Sequence, residues 1–135
     1  MEKQNSKPLG IVLIAIFSAL SGLMSLFGSF LSLFLLGIPG VSVFGYLFGM
    51  LFTVHAVFSF AAVYGLWALE RWGLRLAFWL YVFAIPLGIA AIFPIFPGDQ
   101  FTTANTVFQL VLIAIDAGII WYLGRVEIAV LYDAL

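Results

Sequence analysis

The sequence contains no cysteine and very few charged residues, and each deficit excludes a class of protein or site. Without cysteine the chain has no disulfide bond, thiolate metal site or cysteine nucleophile. Only 8% of the 135 residues are charged, whereas soluble domains average roughly 25% because their surfaces must meet water. The net charge of −1 gives no reason to expect nucleic acid as a partner. The solvent around most of this chain is therefore predicted to be lipid.

Apolar residues make up 65% of the chain and fall into four segments. No lysine, arginine or acidic residue occurs between Lys7 and Glu70, a run too long for one crossing because a bilayer core takes roughly 20 residues of helix. Turn-forming stretches divide the apolar residues: GIPGVS at 37–42, ERWGLR at 70–75 and FPIFPGDQ at 93–100. We predict an all-α membrane protein in which a single domain, 1–135, forms an up-down bundle of four transmembrane helices at about 9–36, 43–69, 74–95 and 100–124.

The positions of the cations predict the orientation of this bundle. With the helices threaded as above, every basic residue falls on the side of the N-terminus: Lys3, Lys7, Arg71, Arg75 and Arg125. The other side carries only Asp99. The positive-inside rule then places both termini in the cytoplasm and the protein in the cell membrane. The tail at 125–135 is expected to be cytoplasmic and to continue the fourth helix or lie along the headgroups.

Tryptophan placement supports the same orientation. The residues lie near the basic ends of the predicted helices, as in an interfacial aromatic belt: Trp67, Trp72, Trp79 and Trp121.

Small residues on the first two helices predict where helices pack. On the first helix they recur at intervals of four, three, four and three residues: Ser18, Gly22, Ser25, Ser29 and Ser32. The second helix has Gly45 and Gly49 in a small-xxx-small pattern that continues to Thr53. Lipid gives little hydrophobic drive between helices, so small residues that allow close backbone approach mark interfaces. We expect a tight hairpin of these two helices; the competing interpretation uses one seam for a homo-oligomer or for a subunit of a larger membrane complex.

A stripe of polar groups on the fourth helix is the candidate intramembrane site. It comprises Asn105, Gln109 and Asp116, to which the second helix adds His55. Hydrocarbon satisfies no polar group, so the stripe is expected to face the bundle interior or a partner. Counting residues from the basic ends puts Asp116 about 10 Å nearer the cytoplasm than His55. A direct ion pair between these two is therefore disfavoured, and Tyr64, Ser18 or Ser21 is the expected partner of Asp116.

Two interpretations of these groups remain open. They form a proton or ion path or a headgroup site, or they are hydrogen-bonded pairs that fix the register of the helices. His55 is also a candidate ligand for a chlorin or for one face of a haem, although one histidine excludes bis-histidine ligation within one chain. Otherwise no cofactor and no metal site is expected.

Motifs for catalysis are missing from the sequence. There is no HExxH, no phosphate-binding glycine loop and no nucleophile with an evident base. The chain is therefore expected not to be an enzyme. Three functions are left: an accessory or scaffolding subunit of a membrane complex, a small transporter or channel component using Asp116, Gln109 and His55, and a lipid- or pigment-binding protein.

The stretch AVYGLWALERWGLRLAFWLYV, 62–82, resembles a segment of small, uncharacterised prokaryotic membrane proteins with four spans. The similarity lies in Gly65, Leu66, Trp67, Arg71, Trp72, Gly73 and Arg75. The closing WYLGRVEIAVLY is also similar to their usual end, with Arg125-Val126 where Arg-Pro is common there. The resemblance implies a four-span fold and implies no activity.

Overall fold

The computed structural model describes residues 7–35, 43–93 and 100–133, and within them all regular structure is helical. The helices are α1 (Leu9–Leu35), α2 (Val43–Trp67), α3 (Arg71–Ala90), α4 (Thr103–Leu123) and α5 (Val126–Asp133). By length and composition four of them contain a segment able to cross a membrane: Leu9–Ser32, Gly49–Trp67, Arg71–Ile89 and Thr103–Leu123. The prediction of an all-α chain with four membrane-spanning helices is confirmed at this level.

The first four helices pack as two pairs. α1 and α2 form the most extensive pair, and they run in antiparallel register because Gly22 faces Ser59 while Gly28 faces Phe52. α3 and α4 also form an antiparallel pair, with Gly88 of α3 against Ile113 of α4 and Phe78 of α3 near Gly124 at the end of α4. α2 also packs along α3. The middle of the predicted seam on α1, from Gly22 to Ser29, therefore lies against α2 of the same chain.

The apolar core is concentrated at one end of the molecule, which we call the basic end because it carries Lys7, Arg71, Arg75 and Arg125. All five helices contribute to this core: Ile11 and Ile14, Ala62 and Leu66, Ala77 and Tyr81, Ile119 and Leu123, Ile128 and Tyr132. Among the described residues, none of α3 beyond Tyr81 and none of α4 before Asp116 is buried. The outer half of the α3–α4 pair is thus open to its surroundings.

The turn between α2 and α3 is tighter than the sequence predicts. α2 ends at Trp67 instead of 69, and α3 begins at Arg71 instead of 74. The amide of Glu70 donates to the Gly65 carbonyl at 2.9 Å and that of Leu69 to the Leu66 carbonyl at 3.3 Å. These bonds form a Schellman cap, whose left-handed residue is usually glycine. Here Leu69 takes that conformation, with φ of 57°.

Gly73 lies inside α3 and packs on α2, although the sequence places it in a turn. A Cβ on Gly65 would collide with the Cα of Gly73, and one on Gly73 would collide with the Cα of Gly65. Neither position therefore accepts a side chain without moving a backbone. This glycine pair sets how closely α2 and α3 approach at the basic end.

The outer ends of α3 and α4 are also shorter than predicted. α3 ends at Ala90 where 95 was expected, and α4 begins at Thr103 where 100 was expected. Thr102 is the N-cap of α4, and its side chain accepts a hydrogen bond from the amide of Asn105. A threonine cap satisfies an otherwise unpaired helix amide and so fixes the start of the helix. The predicted turn at 37–42, residues 94–99 of the predicted turn at 93–100, and Lys3 lie outside the described residues.

The C-terminal tail forms a separate helix that docks on the basic end. Gly124 and Arg125 interrupt α4, and α5 then buries Ile128 and Tyr132. The Tyr132 hydroxyl donates to the Leu66 carbonyl at 3.3 Å, and Arg71 Nε donates to the Tyr132 carbonyl at 3.3 Å. Burial raises the pKa of Tyr132 to about 12, so the phenol keeps its proton at neutral pH and remains a donor.

The glycine contact yields a stability prediction. Gly73→Ala should lower the free energy of unfolding by about 1–3 kcal/mol, because the added methyl group meets backbone that must shift. The measurement is reversible unfolding in mixed micelles of a mild detergent and dodecyl sulfate, followed by far-ultraviolet circular dichroism.

The matched control is Gly118→Ala on α4, where an added Cβ would meet nothing within 4 Å. This change should be neutral or stabilise the helix by up to about 1 kcal/mol. Equal effects of the two substitutions would contradict the close approach of α2 and α3.

Candidate intramembrane polar site

The seam on α1 is joined to α2 by side-chain hydrogen bonds. Ser25 Oγ lies 2.8 Å from His55 Nδ1, and Ser29 Oγ lies 2.5 Å from Thr53 Oγ1. Thr53 in turn donates to the Gly49 carbonyl at 2.8 Å. Each bond satisfies a polar group that hydrocarbon would leave unpaired.

The remaining seam positions follow the same face. Ser18 and Gly22 are buried, Ser32 is half-buried, and Gly45 lies within α2. The spacing on α1 thus presents one small, polar face to the rest of the chain.

α1 is also joined to α3 by a polar contact. Ser18 Oγ lies 2.6 Å from the Tyr81 hydroxyl, and both residues are buried. Phe17 packs beside the Tyr81 ring, with 6.2 Å between ring centroids. Asp116 on α4 is 8% exposed, and its carboxyl group lies within electrostatic range of the Tyr81 hydroxyl. Three helices therefore bring polar groups together at this level.

The tyrosine near Asp116 is Tyr81, whereas the sequence analysis expects Tyr64 there. The side chain of Tyr64 is 68% exposed and stacks on Trp72, so the expectation of Tyr64 beside Asp116 is wrong. The depth of Tyr81 could have identified it. It lies ten residues beyond Arg71, or about 15 Å into the span, close to the about 13 Å of Asp116 from Arg125.

The amides of α4 form a third group at the opposite end of the molecule. Asn105 Nδ2 donates to the Ala91 carbonyl at 2.8 Å, which ties the start of α4 to the end of α3. Gln109 Nε2 donates to Asn105 Oδ1 at 3.4 Å. Both side chains are half-buried, and together they hold the α3–α4 pair at its open end.

One buried hydroxyl in the described part of the chain has no partner. Ser59 of α2 is fully buried, and its Oγ makes no hydrogen bond. Its Cβ lies against Gly22 of α1. The absence of a side chain at Gly22 is what lets Ser59 fit into the interface.

The described contacts leave the candidate groups in separate places. His55 contacts α1, Gln109 bonds within α4, and Asp116 makes no hydrogen bond to either of them. Among the described residues no ion pair joins His55 to Asp116. His55 Nδ1 is engaged by Ser25, which leaves Nε2 as the nitrogen for a ligand. No group of three or more metal-ligating side chains occurs in the part of the chain described.

α4 also carries a seam of alanine, valine and glycine that the sequence analysis missed. Its members recur at intervals of three, four, three and four residues: Ala104, Val107, Val111, Ala114 and Gly118. All five are exposed. We call them the α4 seam. The sequence does not single them out, because alanine and valine are common throughout an apolar helix, whereas the polar residues on the other side of α4 are uncommon there.

No protein-family model, curated protein or solved structure matches this chain. The class of the protein is therefore defined by the fold alone: a helical protein with four segments able to cross a membrane.

The Ser18–Tyr81 contact can be tested by a double-mutant cycle. Tyr81→Phe and Ser18→Ala should each lower the free energy of unfolding by about 0.6–1.7 kcal/mol, the range for hydrogen bonds between membrane helices. The double variant should lose much less than the sum, because it leaves no unpaired hydroxyl. Unfolding in mixed micelles gives all the values; strictly additive losses would show that the two hydroxyls do not interact.

Proposed function

We propose that this chain is a non-enzymatic, multi-pass membrane protein that serves as an accessory or scaffolding subunit. In this proposal α1 to α4 cross the cell membrane alternately up and down, and both termini are cytoplasmic. The antiparallel contacts within α1–α2 and within α3–α4 support the alternating topology. The short turn at the basic end, between Trp67 and Arg71, supports the same alternation from α2 to α3.

Contacts between cations and tryptophans support the proposed orientation. Lys7 Nζ lies 4.0 Å from the centre of the Trp67 ring, and the Arg125 guanidinium lies 5.1 Å from that of Trp121. Both tryptophans are exposed. Amphipathic rings beside cations are typical of the headgroup region, which supports the proposal that the basic end lies at the cytoplasmic surface.

The observation that carries the assembly role is the exposed α4 seam. The seam on α1 has the same alternating spacing and is covered by α2, whereas the α4 seam has no covering helix among the described residues. At Gly118 an added Cβ would meet nothing within 4 Å. A face on which small residues allow close approach is suited to another membrane helix. We therefore assign it to a second copy of this chain or to a subunit of a larger complex.

The alternative of a transport path finds less support. It requires Asp116, Gln109 and His55 to line one route, whereas His55 bonds to Ser25, Gln109 bonds to Asn105, and Asp116 makes no hydrogen bond among the described residues. Paired polar groups that hold neighbouring helices in register are sufficient for the scaffolding proposal.

Ala114→Leu tests the assembly role directly. A leucine on the seam should prevent close approach of a neighbouring helix and shift the protein to a single chain. The control is Ala117→Leu, the same change at an exposed position of α4 that lies off the seam. The measurement is the protein mass within the detergent complex, by light scattering after gentle extraction from native membranes.

The unmodified protein and Ala117→Leu should carry additional chains, and Ala114→Leu should not. A monomer for the unmodified protein, or the same mass for both variants, would contradict an assembly role for the α4 seam.

A further inference from the structure

A groove at the basic end has features that the scaffolding role does not use. It has a volume of about 970 Å³ and lies between the α2–α3 turn, the first two turns of α3, and α5. Its polar and aromatic lining consists of Glu70, Arg71, Trp72, Arg75, Trp79 and Tyr132. The volume is within the range of about 300–1,000 Å³ typical of small-molecule sites. We call it the α3 groove.

The charge of the α3 groove favours an anion. Arg71 and Arg75 face one acidic residue, Glu70, so the lining carries an excess of positive charge. Arg71 anchors α5 through the Tyr132 carbonyl and so helps to form the wall. Arg75 is exposed and makes no hydrogen bond or ion pair within the described residues. Its guanidinium is able to bind a phosphate through two parallel hydrogen bonds.

The polarity of the α3 groove changes along α3. The arginines occupy the first turns of the helix, and Leu76 and Trp79 follow them. Trp79 lies eight residues beyond Arg71, which is about 12 Å further along the helix axis. In the proposed membrane orientation the cations are at headgroup level, and the apolar lining extends toward the acyl chains. The groove is thus charged where a phospholipid has its headgroup and apolar where a phospholipid has its acyl chains.

Aromatic contacts fix the walls of the α3 groove. The Trp72 ring stacks on Tyr64, with 6.3 Å between ring centroids, and Trp79 meets Phe78 edge to face at 5.8 Å. The floor includes Leu69, whose left-handed backbone ends α2 and turns the chain toward Arg71. These contacts hold the two tryptophan rings in place, which lowers the entropy cost of binding.

We propose that the α3 groove binds one anionic phospholipid from the cytoplasmic leaflet. The lipid phosphate contacts Arg75, and one acyl chain lies along Leu76 and Trp79. Clusters of arginine at the cytoplasmic ends of membrane helices are suited to anionic headgroups. The proposal depends on the membrane crossing and not on assembly through α4.

The test measures bound lipid by native mass spectrometry of the purified protein. Phosphatidylglycerol and phosphatidylcholine with identical acyl chains are added separately in mild detergent. One phosphatidylglycerol should remain bound in preference to phosphatidylcholine. Arg75→Gln should weaken its binding about fivefold, as expected for one cation near an anionic membrane surface.

Two further variants separate the groove from the general positive charge of this end. Arg125→Gln removes a cation at the same end that lies outside the α3 groove and pairs with Glu127 at 3.5 Å; it should change binding less than twofold. Ala68→Trp places a large ring in the groove and should displace the lipid while both arginines remain. If Arg75→Gln fails to fold, Ala68→Trp still tests whether the lipid occupies the α3 groove.

Several results would overturn the proposal. One is equal binding of the two lipids, and another is an equal loss in Arg75→Gln and Arg125→Gln. Unchanged binding in Ala68→Trp would place the lipid elsewhere. Displacement by glycerol phosphate at a concentration equal to that of the lipid would show that a free phosphate suffices and that the acyl chain contributes nothing. The variants leave the α4 seam intact, so loss of lipid with normal assembly is distinguishable from failure of the scaffolding role.

Discussion

Lipid tails are as apolar as leucine side chains, so helices inside a bilayer gain little by burying one leucine against another. Adhesion then depends on how closely the backbones approach and on how the polar groups pair. At the basic end, Gly65 and Gly73 are close enough that neither accepts a Cβ without backbone movement. Between α1 and α2, serine and glycine line the interface where a soluble bundle would use leucine. Close approach explains why large apolar side chains such as Phe27, Phe34 and Met24 are left on the outside.

The same solvent explains the pairing of the polar groups. Ser25 with His55, Ser18 with Tyr81 and Asn105 with the Ala91 carbonyl each connect two helices. A shift of one helix by a single residue would break such pairs, and hydrocarbon offers no replacement partner. Polar pairing therefore specifies the register, while close packing supplies attraction. Asp116 stands apart because its buried carboxyl group makes no hydrogen bond within the described residues and meets Tyr81 only electrostatically.

Much of this fold could be predicted from the sequence, since charge depletion and helical spacing are strong patterns. They give the number of long apolar helices, their approximate bounds and the small face of α1. The turn at Leu69 could not be predicted in detail, because a leucine in the left-handed conformation lacks the usual glycine. Gly73 was assigned to a turn because glycine beside charges is typical of loops, whereas its close approach to Gly65 is a tertiary contact.

The candidate site was predicted less completely than the fold. The stripe on α4 identifies its polar residues by type and spacing, but spacing along one helix says nothing about the partners on other helices. Tyr81 and the separate docking of α5 therefore emerged only from the structure. The α4 seam was missed for a related reason, since exposure on the outside of a helix pair is not encoded in any one segment.

The central claim is that hydrocarbon surrounds a chain that crosses it four times, with its cations on the cytoplasmic side. Because the chain has no cysteine, single cysteines placed at the exposed residues Gln100 and Glu127 are the only thiols to label. A membrane-impermeant maleimide added to sealed cells should label Gln100→Cys at once and Glu127→Cys only after permeabilisation. Labelling of both positions in sealed cells would contradict the claim.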